Sequence, residues 1–409
     1  MTANDVTRTA VEYNLGLVLT GGGARGAYQV GVLKWIARNY PDITFPILTG
    51  VSAGAVNTAK LAAAPGTFSQ AVEGLEQLWR GLRVEDVFRA DAWAIMRNAV
   101  GWAVRLASGG SRGAPRVRGL LDTQPLRELL HEVLAPVGGE ITGIDYNLAK
   151  EKLKAVAIMT TSYTTGQTVV FLKGKGIQPW TRPQRKTVMA PITIDVIMAS
   201  AALPIFFPAV KIGSEWYGDG GIRLAAPLSP ALHLGADRIL AISTRYERSD
   251  EEAQAVAVPG YPPPAQVVGL LLNAVFLDLV DQDALRLERL NELIAKLPVE
   301  ERMGLRPVRL LSVRPSEDLG ILAARFEPQL PTAFRFMTRG LGTQEQRSPD
   351  VLAMLMFQPD YLGHLIDLGE RDAERMAPEL EAFFEDRAET GAEPKPTRQW
   401  IADPDATPV

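Results

Sequence analysis

Two glycine-rich turns, each set between an apolar run and a helical pattern, restrict this chain more than anything else in it. The run Leu15 to Leu19 leads into Gly21-Gly22-Gly23-Ala24-Arg25-Gly26, and a helical pattern from Tyr28 to Ala37 follows. The short run Phe45 to Leu48 then leads into Gly50-Val51-Ser52-Ala53-Gly54, with a second helical pattern from Ala53 to Ala63. Strands that alternate with helices in this way predict a layered α/β fold with a mainly parallel sheet. Ligands of such sheets gather at the carboxyl ends of the strands, where both turns lie.

The second turn reads G-x-S-x-G, the pattern of a nucleophile elbow that holds a serine hydroxyl up for attack. Its glycines are expected because a side chain at either position would collide with the neighbouring strand and helix. Ser52 also lands at a helix N-terminus, where free N–H groups favour nearby negative charge. A plain serine N-cap would satisfy the same pattern.

The first turn narrows the choice. Read as G-x-G-x-x-G it could cradle a dinucleotide, but that needs an acid about twenty residues on, closing the second strand. Asp42 precedes that strand, and the strand ends in the serine elbow instead. An oxyanion hole followed by a nucleophile makes better chemistry, because acyl transfer needs N–H donors about 3 Å from the developing oxyanion.

With Asp219-Gly220-Gly221 further on, the chain resembles the patatin-like phospholipases, whose signature is G-G-G-x-[K/R]-G, then G-x-S-x-G, then D-G-G or D-G-A. The stretches Met198-Ala199-Ser200-Ala201-Ala202-Leu203-Pro204, Pro227-Leu228 and Ala236-Asp237 also look like the family's, so the resemblance spans roughly residues 14 to 245. Thr20 stands where plant members carry an acid, which places the chain nearer the bacterial type.

The resemblance implies a three-layer α/β/α fold with a mainly parallel central sheet, plus a largely helical C-terminal extension. It also implies a Ser52/Asp219 catalytic dyad, with an oxyanion hole at Gly22 and Gly23. Arg25 would assist through its amide or by fixing the loop. Gly21, Gly26, Gly50, Gly54, Gly220 and Gly221 complete the three motifs, and Phe206 and Phe207 become acyl-pocket candidates. An aspartate of ordinary pKa about 3.9 is a poor base towards a hydroxyl. Asp219 therefore needs a desolvated seat close to Ser52.

The expected activity is lipid acyl hydrolysis (phospholipase A, lipase or carboxylesterase) through an acyl-enzyme, with no metal or organic cofactor. A transacylase would use the same intermediate, and a lipid-binding protein without activity would have no need of both Ser52 and Asp219. A Ser-His-Asp triad could be ordered Ser52, Asp219, then His233 or His364. Against it, the elbow here follows only the second strand, and both histidines fall in helical patterns.

Composition excludes several classes. A net charge of −4 gives no electrostatic case for nucleic acid. With no cysteine and three scattered histidines, His131, His233 and His364, neither a disulfide framework nor a histidine–thiolate metal site can be assembled. The start of the chain lacks a signal-peptide pattern and no run reaches the length of a membrane span. The expectation is a cytoplasmic protein that meets a lipid ester substrate, and a lipid surface, peripherally.

Residues 1–13 read as a polar tail and 14–247 as the catalytic domain. Within it, 80–118 carries eight arginines against three acids, with Trp93 and Trp102, as a cap or interfacial lid segment would. Asp122 is expected to cap a helix reaching Leu134, and Leu153 to Met159 and Gln167 to Leu172 to form a hairpin. In the extension, 248–389, an apolar helix from Val267 is expected to lie buried. A strand at Arg306 to Val313 and helices at Ser348 to Phe357 and Pro359 to Phe384 follow. The tail 390–409 reads as disordered.

Overall fold

The computed structural model describes residues 14–89, 119–254, 260–276, 279–346 and 348–385, together with 100–101, 104–105 and 107–109. Both tails and most of the basic stretch 80–118, including Trp93 and Trp102, lie outside the described residues.

Ten strands form one mixed sheet among the described residues. Its parallel block is built from β1 (Leu15–Leu19), β2 (Ile47–Val51), β3 (Ala155–Ser162), β9 (Arg238–Ile242) and β10 (Arg309–Val313), in the order β10-β9-β1-β2-β3. The central members are buried at every position rather than alternating, because both faces of the sheet are covered. Beyond β3 comes the antiparallel β4 (Thr168–Gly174), then β6 (Arg185–Met189) parallel to β4, with the short β5 (Thr181–Arg182) antiparallel at the edge. The expected hairpin is the β3–β4 pair, with ends shifted by one to three residues.

Two further strands, β7 (Val210–Ile212) and β8 (Glu215–Asp219), pair with each other, and β8 also pairs antiparallel with the end of β3. This last pairing settles the geometry of the site. β2 pairs with β3 as far as Val51↔Met159 and then leaves for the elbow. The next residue of β3, Thr160, is partnered by Asp219. β8 thus occupies the place beside β3 that β2 vacates, and Asp219 arrives next to Ser52 although 167 positions of sequence separate them.

On one face of the sheet lie α1 (Ala27–Asn39), α2 (Ala53–Ala63) and α3 (Phe68–Gly81); a smaller apolar cluster covers the other. α1 is buried on nearly every side, which for a helix means a second covering layer. That layer is the helix Pro359–Arg375 from the far end of the chain. The two approach so closely that a Cβ added at Gly369 would sit 2.2 Å from the Tyr28 carbonyl oxygen. The extension therefore shares the core of the catalytic sheet.

Some boundaries differ from expectation. Thr123, not Asp122, is the N-cap of Gln124–Leu134, while the Asp122 carboxylate accepts the Gln124 amide at 3.0 Å. The apolar helix Pro264–Phe276 is buried on one side only. Ala265 and Leu272 face inwards, but Val267, Leu270 and Leu271 are exposed. It leans on the helix Asp350–Leu355 and on the turn Gly220–Arg223, away from the strands.

Candidate active site

β2 delivers Ser52 at the head of α2 with φ 55° and ψ −126°, a left-handed conformation rare for a residue with a side chain. Strain of this kind costs roughly 1–3 kcal/mol and survives only where the surroundings enforce it. Here they do. A Cβ at Gly54 would stand 2.2 Å from the Leu19 carbonyl oxygen, and one at Gly50 would stand 2.3 Å from Thr58 Oγ1. The Ser52 amide donates to Ser200 Oγ at 3.0 Å, and that hydroxyl donates on to the Met159 carbonyl at 2.6 Å. Ser200 thus ties the elbow to β3.

Asp219 is completely buried. Its Oδ1 accepts the Gly221 amide at 2.9 Å, while Oδ2 closes no hydrogen bond. The Ser52 hydroxyl nevertheless stands near enough to favour the charged carboxylate. The two side chains are in approach, short of a closed hydrogen bond, which is common in a site without substrate. Burial dominates the titration. It pushes the carboxyl from an ordinary 3.8 up to about 7, against the smaller opposing pulls of Ser52 and the Gly221 amide. Gly220 lets the chain pass: a Cβ there would meet the Met159 carbonyl oxygen at 2.1 Å.

The first glycine loop lies beside the elbow. Gly22 and Gly23 have φ of 151° and 58°, and Gly23 shares with Ser52 the lining of one cleft. Thr244 Oγ1 donates to the Gly21 carbonyl at 2.6 Å, and the Gly26 carbonyl accepts Asn57 Nδ2 at 3.2 Å. Asn57 in turn bonds Gln29 and accepts the Trp79 indole N–H at 2.7 Å, so a buried polar chain joins loop, elbow helix and α3. Of the two roles read for Arg25, an amide donor or a brace, the amide is already engaged with the Gly22 carbonyl at 3.2 Å. The side chain braces, pairing with Asp350.

The cleft running from Ser52 encloses about 690 Å³ of empty space, its mouth included. Its walls are apolar: Val56 of the elbow helix, Trp79 of α3, Leu126, Leu130 and Val133, then Phe207, and finally Met354, Leu355 and Phe357. Of the two acyl-pocket candidates, Phe207 lines this cleft. Phe206 does not; it is turned into the core. The wall from 354 to 357 had no signal in the sequence.

The histidines are elsewhere. His233 stacks on Trp180 at 4.7 Å and bonds Ser229 and Arg182, and His364 lies against Phe326. His131 is exposed on its helix. Among the described residues no three histidines, aspartates or glutamates gather as a metal site, and no helix is long and apolar enough to cross a membrane.

The sequence model of the patatin-like phospholipase family matches residues 17–232, more than half of the chain, and the chain belongs to that family. Its general activity, hydrolysis of lipid acyl esters, is the class into which this chain falls. Similar solved structures include VipD from Legionella pneumophila, 14% identical with a TM-score of 0.38, covering 90% of this chain and 67% of that one. Human GIVD cytosolic phospholipase A2, in complex with methyl gamma-linolenyl fluorophosphonate, is 13% identical with a TM-score of 0.39, over 90% of this chain and 58% of that one. ExoU in its complex with SpcU from Pseudomonas aeruginosa is 16% identical with a TM-score of 0.30, over 90% and 76%. At scores below 0.5 these likenesses add nothing to the family assignment. No curated protein matches the chain in sequence.

Proposed function

We propose that the chain cleaves fatty-acyl esters of lipids with a Ser52/Asp219 dyad. The Asp219 carboxylate takes the hydroxyl proton as Ser52 Oγ attacks the ester carbonyl. The amides of Gly22 and Gly23 receive the oxyanion of the tetrahedral intermediate. Its collapse breaks the bond to the leaving alcohol, which takes the proton from Asp219, and leaves an acyl-enzyme. Water attacks the acyl carbon by the same route, losing its proton to Asp219; the Oγ–acyl bond then breaks as Asp219 returns that proton to Ser52 Oγ, and the fatty acid departs. No step in this scheme calls on a metal or an organic cofactor.

The observation that carries this reading is the buried carboxyl set against Ser52, with one oxygen unbonded and a pKa near 7. A base poised at the working pH combines proton affinity with a large ionised fraction. The apolar cleft beginning at Ser52 suits a fatty-acyl chain and offers nothing for a charged one.

The test is a panel of soluble esters and phospholipids of graded chain length, run on the wild type beside Ser52→Ala and Asp219→Asn. A fluorophosphonate should label Ser52 in the wild type and nothing in Ser52→Ala. Hydrolysis that survives Ser52→Ala would remove the reading.

A further inference from the structure

Arg25 is an arginine in the wrong place for an ordinary one. It sits in the tight turn Gly23–Gly26 and is 2% exposed. Among the described residues its ion pair is with Asp350 alone, through Nη2, which also bonds the Asp350 carbonyl at 3.1 Å; Nε is buried without a partner. The other oxygen of that carboxylate accepts Asn273 Nδ2, from the helix Pro264–Phe276, at 2.5 Å. The oxyanion loop also rests directly on the backbone of the helix that carries Asp350, since a Cβ at Gly23 would fall 2.2 Å from the Met354 carbonyl oxygen.

We propose that Asp350 is a positioning residue for the reaction: through Arg25 it holds the amides of Gly22 and Gly23 where the oxyanion forms. The proposal rests on the hydrolase reading above. The physical chain is short. A buried guanidinium stripped of the counter-charge paired with it is strongly disfavoured, so it would move towards water. Its own amide closes the turn onto the Gly22 carbonyl, so any shift of the Arg25 backbone that accompanies this movement is passed on to Gly22 and Gly23. Displaced donors lose their value in the transition state while the apolar cleft still binds the ester. Asp350 lies 118 residues past the end of the family match, in a part of the chain that carries no motif.

The experiment compares wild type, Asp350→Ala and Asp350→Asn on a soluble short-chain nitrophenyl ester, with active sites counted by exhaustive fluorophosphonate labelling. In Asp350→Ala, kcat per labelled site should fall about 10- to 100-fold, the scale of an ångström-level misplacement, with KM changed by less than about twofold. The rate of labelling by the fluorophosphonate should fall in parallel. Asp350→Asn keeps the shape and one acceptor, serves as the second variant should alanine fail to fold, and should show a smaller fall of the same kind. The apparent pKa of the rate should not move in either. A variant that melts earlier but turns over per labelled site like the wild type would overturn the proposal, as would a rise in KM at constant kcat. If the wild type itself neither hydrolyses the ester nor labels at Ser52, the hydrolase reading falls first and this proposal with it.

Discussion

The two parts of this molecule use their sequence differently. Residues 14 to 245 hold every recognisable motif and present each on a turn or strand end. Residues 248 to 385 hold none, yet they contribute the outer cover of α1, one wall of the cleft and the carboxylate beside Arg25. Chemistry demands particular residue types at particular spacings, and so leaves a pattern. Packing demands only volume and polarity, which many sequences supply. The extension is thus as close to the site as the motifs are, without being marked.

The sharpest way to break that contrast is to remove the extension. A chain ending at residue 247 would expose the outer face of α1 and uncap the cleft; it should yield no cooperative thermal transition and no Ser52 labelling. A soluble, labelled fragment would mean that the motif-bearing part stands alone.

Next in size is the dyad. Asp219→Asn should lower kcat on the order of 10⁴-fold, as losing a triad aspartate does elsewhere. Wild-type activity should rise with pH through about 7, because the ionised carboxyl is the base. Stability should run the opposite way. The folded-state pKa lies above the unfolded one, so between about pH 4 and 7 the unfolded chain binds fewer protons and stability falls as pH rises. Asp219→Asn escapes this cost. It should melt above the wild type at pH 8, with the gap closing towards pH 4 in calorimetry.

The cleft allows both parts to be compared directly. Leu130→Trp from the motif-bearing part and Leu355→Trp from the extension should each shorten the preferred acyl chain. The expected shift in kcat/KM is about 10- to 100-fold for long against short esters, a few methylenes' worth of discrimination. If only Leu130→Trp shifts the preference, the extension is a bystander to substrate choice. The smallest effect belongs to packing: Gly369→Leu, pressed against the Tyr28 carbonyl, should cost about 1–3 kcal/mol in urea titration and leave kcat per labelled site alone.

What could be read in advance follows the same division. The strand, loop and elbow order was legible because glycines at 22, 23, 50 and 54 leave few other folds open, and their contacts show why side chains are excluded. Once the resemblance named Asp219 as the base, the need for a desolvated seat followed from acid–base chemistry. Its placement did not, because it comes from a register: Thr160 takes Asp219 where Met159 takes Val51, and no residue type encodes that choice. Asn57 and Asn273 were equally silent, and Ser200 stood in a family-like stretch without its role showing, since a buried hydroxyl or amide declares its role only through its partners. Phe206 and Phe207 show the limit within a single dipeptide: both were candidates, and only side-chain direction separates them.

The handover along β3 has a consequence for how the chain can be cut. Both halves of the dyad are anchored to one strand, and the connection that follows it adds a single side-chain tie, Thr164 Oγ1 accepting the Trp216 amide of β8 at 2.9 Å. Two polypeptides divided at that tip could reassemble into a working site, whereas sliding β8 by a single residue would carry the carboxylate about 3.3 Å away and reverse the face it presents. Tolerance to scission and intolerance to slippage are two sides of the same scaffold.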